Sequence, residues 1–173
     1  MTLFRSATQL MVQYAHYHRD RRNITTHLLG IPLIVLSMGV LLRGPAWAVA
    51  GQTLTLAWAL WALTSLWYLS RGDVLLGVAT TLVNGVLFAV AHEVPLLAHA
   101  LGLAVWQAGL GLFFIGWVLQ FIGHYWEGRK PAFVDDLVGL LVGPMFVVGE
   151  VLMALGLLQR MRMDIERQAG ALR

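Results

Sequence analysis

Five apolar runs, most of them long enough to cross about 30 Å of hydrocarbon at 1.5 Å per residue, constrain this chain more than any other feature. They cover roughly residues 28–42, 46–69, 74–91, 97–122 and 137–158. A soluble domain of 173 residues cannot hide a chain that is 58% hydrophobic and 12% charged, with a mean hydropathy of +0.71, so the runs belong in lipid. The expected fold is all-α, a single integral membrane domain over residues 1–173. It is a polytopic transmembrane helix bundle of four crossings, with a Pro-interrupted fifth apolar segment that forms a hairpin or a span.

The runs are not equivalent. The first is short and holds Gly30-Ile31-Pro32, so it enters obliquely or borrows length from the residues before it. The second carries Trp47, Trp58, Trp61, Trp67 and Tyr68; the outer ones suit the membrane interfaces and the inner ones suit packing between helices. Gly102, Gly109, Gly111 and Gly116 in the fourth let backbones approach closely in lipid. The fifth is interrupted by Gly143-Pro144 and contains Glu150, and reads as two half-helices folded back or as one more span. Glu150 is either a buried carboxylate paired with Arg or His, or a proton-handling group.

Charge distribution favours the folded-back reading. If four runs cross and the fifth returns, Arg5, Arg19, Arg21, Arg22, Arg71, Arg129, Lys130, Arg160, Arg162, Arg167 and Arg173 share one face and Arg43 alone occupies the other. A fifth crossing would move the last four to the face of Arg43. The positive-inside rule then places both termini in the cytoplasm, at the inner membrane of a bacterium or the endoplasmic reticulum of a eukaryote. Cations that flank spans are not the clustered stripe that nucleic acid requires, so the partners expected are lipid and small molecules. The absence of cysteine excludes disulfides, a catalytic thiol and thiolate metal sites. The first 27 residues contain no uninterrupted apolar core, and no removable signal peptide is expected.

Six histidines in so charge-poor a chain are the chemical signal, because imidazole is the commonest metal ligand and polar groups near a bilayer are costly unless used. His16, His18 and His27 precede the first run and His124 follows the fourth, so four crossings return them to one face. His92 and His99 fall on the opposite face and read as interfacial. On an unbroken helix Asn23 and His27 share a side, and His16 shares it better than His18, which would need a bend near residues 19–22. Glu127, three residues after His124, can point inward beside it, as in diiron carboxylate bundles. Several histidines with at most one carboxylate suit Fe(II), Mn or Zn. Arg129 and Lys130 are either positive-inside anchors or a grip on a substrate carboxylate.

Two stretches, Tyr17-His18-x4-Asn23-x3-His27-x2-Gly30-Ile31-Pro32 and Gln120-Phe-Ile-Gly-His124-x2-Glu127-Gly-Arg129-Lys130-Pro131-Ala132, together with Gly143-Pro144-x-Phe146 and Glu150, resemble the yeast-type 2-hydroxy fatty acid dioxygenase family over almost the whole chain. The resemblance implies Fe(II)-dependent α-oxidation, in which a 2-hydroxy fatty acid and O₂ give the fatty acid one carbon shorter, a step in sphingolipid long-chain base breakdown. It implies His18, His27 and His124 as the metal-binding, catalytic histidines. It therefore requires a bend or separate helices between His18 and His27, against the straight-helix preference for His16. Glu127 joins the catalytic set as a ligand or as a group orienting a ligand imidazole. Asn23 is a second orienting candidate, and stands with Arg129 and Lys130 as a candidate substrate contact. The acyl chain is expected between helices, entering from the leaflet; homo-oligomerisation is left open. Two other classes compete: a non-enzymatic membrane carrier of metal or lipid, and a metal-dependent lipid hydroxylase. The first would place polar groups at mid-membrane in repeated halves, and the second would carry HxxxH and HxxHH boxes that this sequence lacks.

Overall fold

A computed structural model of the protein describes residues 3–44, 46–49 and 52–173. In chain order they form α1 (Ala7–Ala15), α2 (Arg21–Leu41), a hairpin of β1 (Ala46–Val49) and β2 (Gln52–Thr55), α3 (Leu56–Leu69), α4 (Val74–Ala91), α5 (Val94–Ala100), α6 (Val105–Glu127), α7 (Ala132–Asp135), α8 (Val138–Ala154) and α9 (Gln159–Ala169). Local chemistry sets the helix starts. Ser6 and Gln9 form a reciprocal capping box on α1, and the side chains of Asp20, Thr55 and Asp73 each accept a first-turn backbone N–H of α2, α3 and α4. α6 stops at Gly128, whose φ of 69° suits glycine.

α2, α4 with α5, and α6 are long and apolar enough to cross a membrane, and the bent pair α8 and α9 adds a fourth candidate. α3, at 14 residues, is apolar but short. It joins the far end of α2, where Ala57 N–H donates to Leu42 O, to the near end, where Arg71 donates to Leu3 O and Tyr68 Oη to Leu141 O. Helices α2, α3, α4 and α6 therefore run alternately between two ends of one bundle, as expected.

The central contact is α2 against α6. A Cβ at Gly116 would collide with Gly30 O, and one at Gly109 with Leu41; without side chains there, the backbones close up. Gly111 faces open space and Gly102 lies in the loop before α6 at φ 69°, so those two glycines make no such contact.

Three sequence expectations are corrected. Residues 46–55 are an antiparallel hairpin, with Trp47 opposite Leu54 and Ala48 opposite Thr53, rather than the start of a membrane helix. The fourth apolar run breaks at residues 101–104 into α5 and α6. α8 runs through Gly143-Pro144 without interruption, and the chain reverses later, turning 112° between α8 and α9. Along its length α8 touches elements of one end of the bundle: Tyr68 at Leu141, Ile31 and Tyr14 beside Gly143, Met11 and Leu76 beside Gly149, and Arg19 at Glu150. Both ends of the fifth run thus lie in that half. The borrowed length expected for the first run is present, since α2 begins seven residues before Leu28.

Candidate metal centre

α1 ends at Ala15, and the link to α2 carries His18 into the interior, where it is fully buried. His27 sits nearly two turns into α2 and His124 in the last turn of α6, exposed by 1% and 6%. The break between α1 and α2 places His18 opposite His27 although the two would diverge on a straight helix. Their Nε2 atoms are 3.0 Å apart, and the ring centroids of the three imidazoles lie 4.5–5.0 Å from one another. One ligand atom from each falls within 4.8 Å of the others, the single such group of three among the described residues. His16 is exposed and turned outward, its carbonyl accepting from Arg129 Nη1 at 2.8 Å. His92 stacks on Trp58 away from this group.

Hydrogen bonding fixes the tautomers. His18 Nδ1 lies 2.8 Å from Tyr14 O, and His27 Nδ1 lies 2.9 Å from Asn23 O. A carbonyl oxygen only accepts, so both Nδ1 atoms carry hydrogen and both Nε2 atoms present lone pairs to each other. Two lone pairs at 3.0 Å repel unless a cation lies at the same place. His124 Nδ1 is buried and has no hydrogen-bond partner among the described residues. Burial holds the His18 imidazole well below its ordinary pKa, and the neighbouring His27 adds to it, so the ring is neutral and ready to ligate. The donor set therefore fits a nitrogen-loving divalent metal.

Glu127 lies beside this cluster and its carboxylate is already engaged. Oε2 accepts from the backbone N–H of Arg19 at 2.9 Å and of Asp20 at 2.8 Å, and from Asn23 Nδ2 at 3.1 Å; Oε1 accepts from Arg173 Nη2 at 2.8 Å. α6 thereby clamps the link that carries His18, and Asn23 passes the clamp on to His27 through its carbonyl. Arg173 also exchanges backbone hydrogen bonds with Arg19 and Arg21. Asp20, which caps α2, is held well below the usual carboxylate range by its hydrogen bonds to Arg22.

A cavity of about 450 Å³ opens from His27 and His124 and descends between α2, α3, α4 and α6 past Val35 and Phe113 to Met38 and Phe88. Its lining is mostly apolar and its size falls within the range of small-molecule sites. Asn23, Arg129 and Lys130 do not line it. Asn23 is buried within the Glu127 clamp, and Arg129 is exposed at the mouth end. Sequence reasoning missed Tyr14, whose ring stacks on His18 at 4.1 Å and 5°, and gave no role to the motif residue Phe146, which packs on both rings. It also passed over Gln120, which shares the inner face of α6 with His124 at a spacing of four, a signal the sequence did contain. Nothing local in the sequence announced Tyr14 or Arg173.

The family profile described as 2-hydroxy-palmitic acid dioxygenase Mpo1-like matches residues 4–155. A 2-hydroxy-palmitic acid dioxygenase, MPO1, of Saccharomyces cerevisiae is 34% identical over 155 residues, covering 88% of this chain and 83% of the yeast protein. No solved structure matches. With the buried histidines of both sequence motifs brought together at the head of an apolar cavity, and the match extending over nearly all of the helical bundle, the chain belongs to the 2-hydroxy-palmitic acid dioxygenase Mpo1-like family.

Proposed function

We propose that the protein is an Fe(II)-dependent membrane dioxygenase that converts a 2-hydroxy fatty acid into the fatty acid one carbon shorter. The observation that carries this reading is the pair of opposed Nε2 lone pairs of His18 and His27, 3.0 Å apart, beside the unpartnered Nδ1 of His124. An all-nitrogen donor set without thiolate suits Fe(II) and leaves coordination positions open. Bound there, Fe(II) would supply the redox chemistry through which O₂ reacts. The balance R–CH(OH)–COOH + O₂ → R–COOH + CO₂ + H₂O closes with the C1–C2 bond broken and four electrons passing to O₂, so no external reductant is needed.

The chain's own residues divide the remaining work. His18, His27 and His124 hold the metal, and Glu127 with Asn23 holds two of those imidazoles in position. The cavity below takes the acyl chain and excludes water from the reacting carbons. Arg129 and Lys130 stand at the mouth side of the bundle, where their charge draws anionic substrate toward the membrane surface. The cationic excess on that face supports cytoplasmic termini.

The test is metal analysis of anaerobically purified protein, wild type beside His124→Ala, with O₂ uptake on 2-hydroxypalmitate. Iron near one per chain, lost in the variant, with substrate-dependent O₂ consumption and a C15 acid as product, is the expected result. Stoichiometric zinc, or folded protein with neither metal nor O₂ uptake, would move the assignment to a carrier.

A further inference from the structure

A fatty acid drawn into the cavity brings a carboxylate with it, yet no Arg or Lys is among the described residues that line the cavity. Two neutral donors stand at its upper end instead. Gln120 is 5% exposed and lines the cavity, and its Nε2 is buried without a hydrogen-bond partner among the described residues. Its position is fixed from two sides. It lies four residues before His124 on α6, and a Cβ added at Gly30, three residues after His27 on α2, would collide with its Nε2. The amide thus sits about one helical turn below the two imidazoles that face the cavity. A buried polar group that finds no partner within the protein is the exception in native structures and calls for an explanation.

Tyr14 occupies the other side. Its ring lies flat on His18, it lines the same cavity, and its hydroxyl is 3.4 Å from where a Cβ at Gly143 would stand. A phenol ionises only near pH 10, so its hydroxyl is an O–H donor throughout the physiological range.

We propose that Gln120 Nε2–H and Tyr14 Oη–H receive the carboxylate oxygens of the 2-hydroxy acid inside the cavity, making these two residues, rather than Arg129 and Lys130, the determinants of carboxylate recognition. This rests on the reading of the cavity as a 2-hydroxy acid site. Neutral donors suit the location. A guanidinium there would be buried unpaired before substrate arrives, and would grip the product, itself a carboxylate, as firmly as the substrate.

The experiment measures equilibrium binding of 2-hydroxypalmitate under argon, where no O₂ turnover occurs, to detergent-solubilised wild type, Gln120→Leu, Tyr14→Phe and Arg129→Ala. Hexadecane-1,2-diol, which keeps the chain and hydroxyl but lacks the carboxylate, serves as control, and metal content reports that the triad is intact. Loss of one hydrogen bond to a charged group is expected to raise the Kd for 2-hydroxypalmitate about 10- to 100-fold in each cavity variant. Diol binding should move by less than about a tenth of that in logarithmic terms, with metal content unchanged. Should Gln120→Leu fail to fold, Tyr14→Phe, which keeps the ring stacked on His18, decides alone. Both cavity variants binding 2-hydroxypalmitate as wild type does, or binding lost only in Arg129→Ala, would overturn the assignment. A wild type with intact metal that binds no 2-hydroxypalmitate would instead overturn the proposed function beneath it.

Discussion

Replacing Glu127 by Ala should destabilise the protein before any metal is considered. In the folded chain Glu127 Oε2 accepts three hydrogen bonds, from Arg19 N–H, Asp20 N–H and Asn23 Nδ2, at 2.8–3.1 Å. The Arg19, Asp20 and Asn23 residues that donate them are 5%, 9% and 0% exposed, so water does not readily replace the lost acceptor. Each stranded donor costs about 1–3 kcal/mol, which gives roughly 3–6 kcal/mol after allowance for some relaxation. The Arg173 contact adds little, because that guanidinium is 65% exposed. Set against a typical total of about 5–15 kcal/mol, such a loss is severe. Glu127→Gln keeps an acceptor oxygen and loses only the charge assistance, so it should cost about 1–2 kcal/mol. Metal affinity should drop by about 10- to 100-fold in Glu127→Ala, since the link that carries His18 is no longer held. Equilibrium unfolding of EDTA-treated protein in mixed micelles, followed by metal titration, measures both. The decisive comparison is the metal-free one. A ligand carboxylate removed from metal-free protein relieves repulsion and costs nothing, whereas a clamp removed costs stability at once. Metal-free Glu127→Ala within about 0.5 kcal/mol of wild type would refute the clamp and return Glu127 to the ligands.

Other outcomes follow from the same geometry. Because burial, and then His27, holds folded His18 neutral while the unfolded chain takes up a proton below about pH 6.5, metal-free stability should be level above that pH and fall below it; unfolding measured from pH 8 to 5 should show the decline, and His18→Phe should lessen it. A Cβ at Gly116 meets Gly30 O and Ile34 whereas one at Gly111 meets nothing within 4 Å, so Gly116→Ile should cost about 1–3 kcal/mol or more and lower metal content with it. Gly111→Ala should match wild type or exceed it by about 0.5–1 kcal/mol; equal effects at the two sites would count against the α2–α6 contact. Met38, eleven residues below His27, lies about 16 Å along α2 from that histidine. Met38→Trp should therefore shift kcat/KM from 2-hydroxypalmitate toward shorter 2-hydroxy acids, and an unmoved ratio would place the chain elsewhere.

How far the sequence could be read depended on which forces were local. α4 spans Val74–Ala91, the same bounds as its apolar run, because an Asp cap and a clean end of hydropathy coincide there. The hairpin at 46–55 was misread because hydropathy does not distinguish an apolar strand from an apolar helix. Thr53 and Thr55, alternating with Leu54, were the contrary signal. Gly143-Pro144 was misread in the opposite direction. A helix among packed neighbours tolerates a proline whose missing N–H leaves one carbonyl free, so α8 continues past it and the reversal waits for Leu158, at φ 54°, and Gly156, at φ 84°.

The histidine cluster was legible for a different reason. Helical periodicity argued for His16 and was wrong, since periodicity holds only while the helix does, and α1 stops at Ala15. The family resemblance implied His18 instead, and the structure places His18, not His16, against His27 and His124. The break between α1 and α2 is what brings the histidines together. An unbroken helix places side chains along a line, whereas two helices joined by a short link can face a side chain from the link back against the second helix, as His18 faces His27 at 3.0 Å. A link so short has no secondary structure to satisfy its own backbone, and its Arg19 and Asp20 N–H groups must be paired from outside. Glu127 pairs them from the helix that also carries His124. The spacing of three between His124 and Glu127 therefore does two things in one turn of α6: it presents an imidazole to the histidine cluster and a carboxylate to the backbone that holds the opposing imidazole. A carboxylate beside a histidine cluster invites reading as a ligand, and here the unpaired backbone donors of a helix break give it another role.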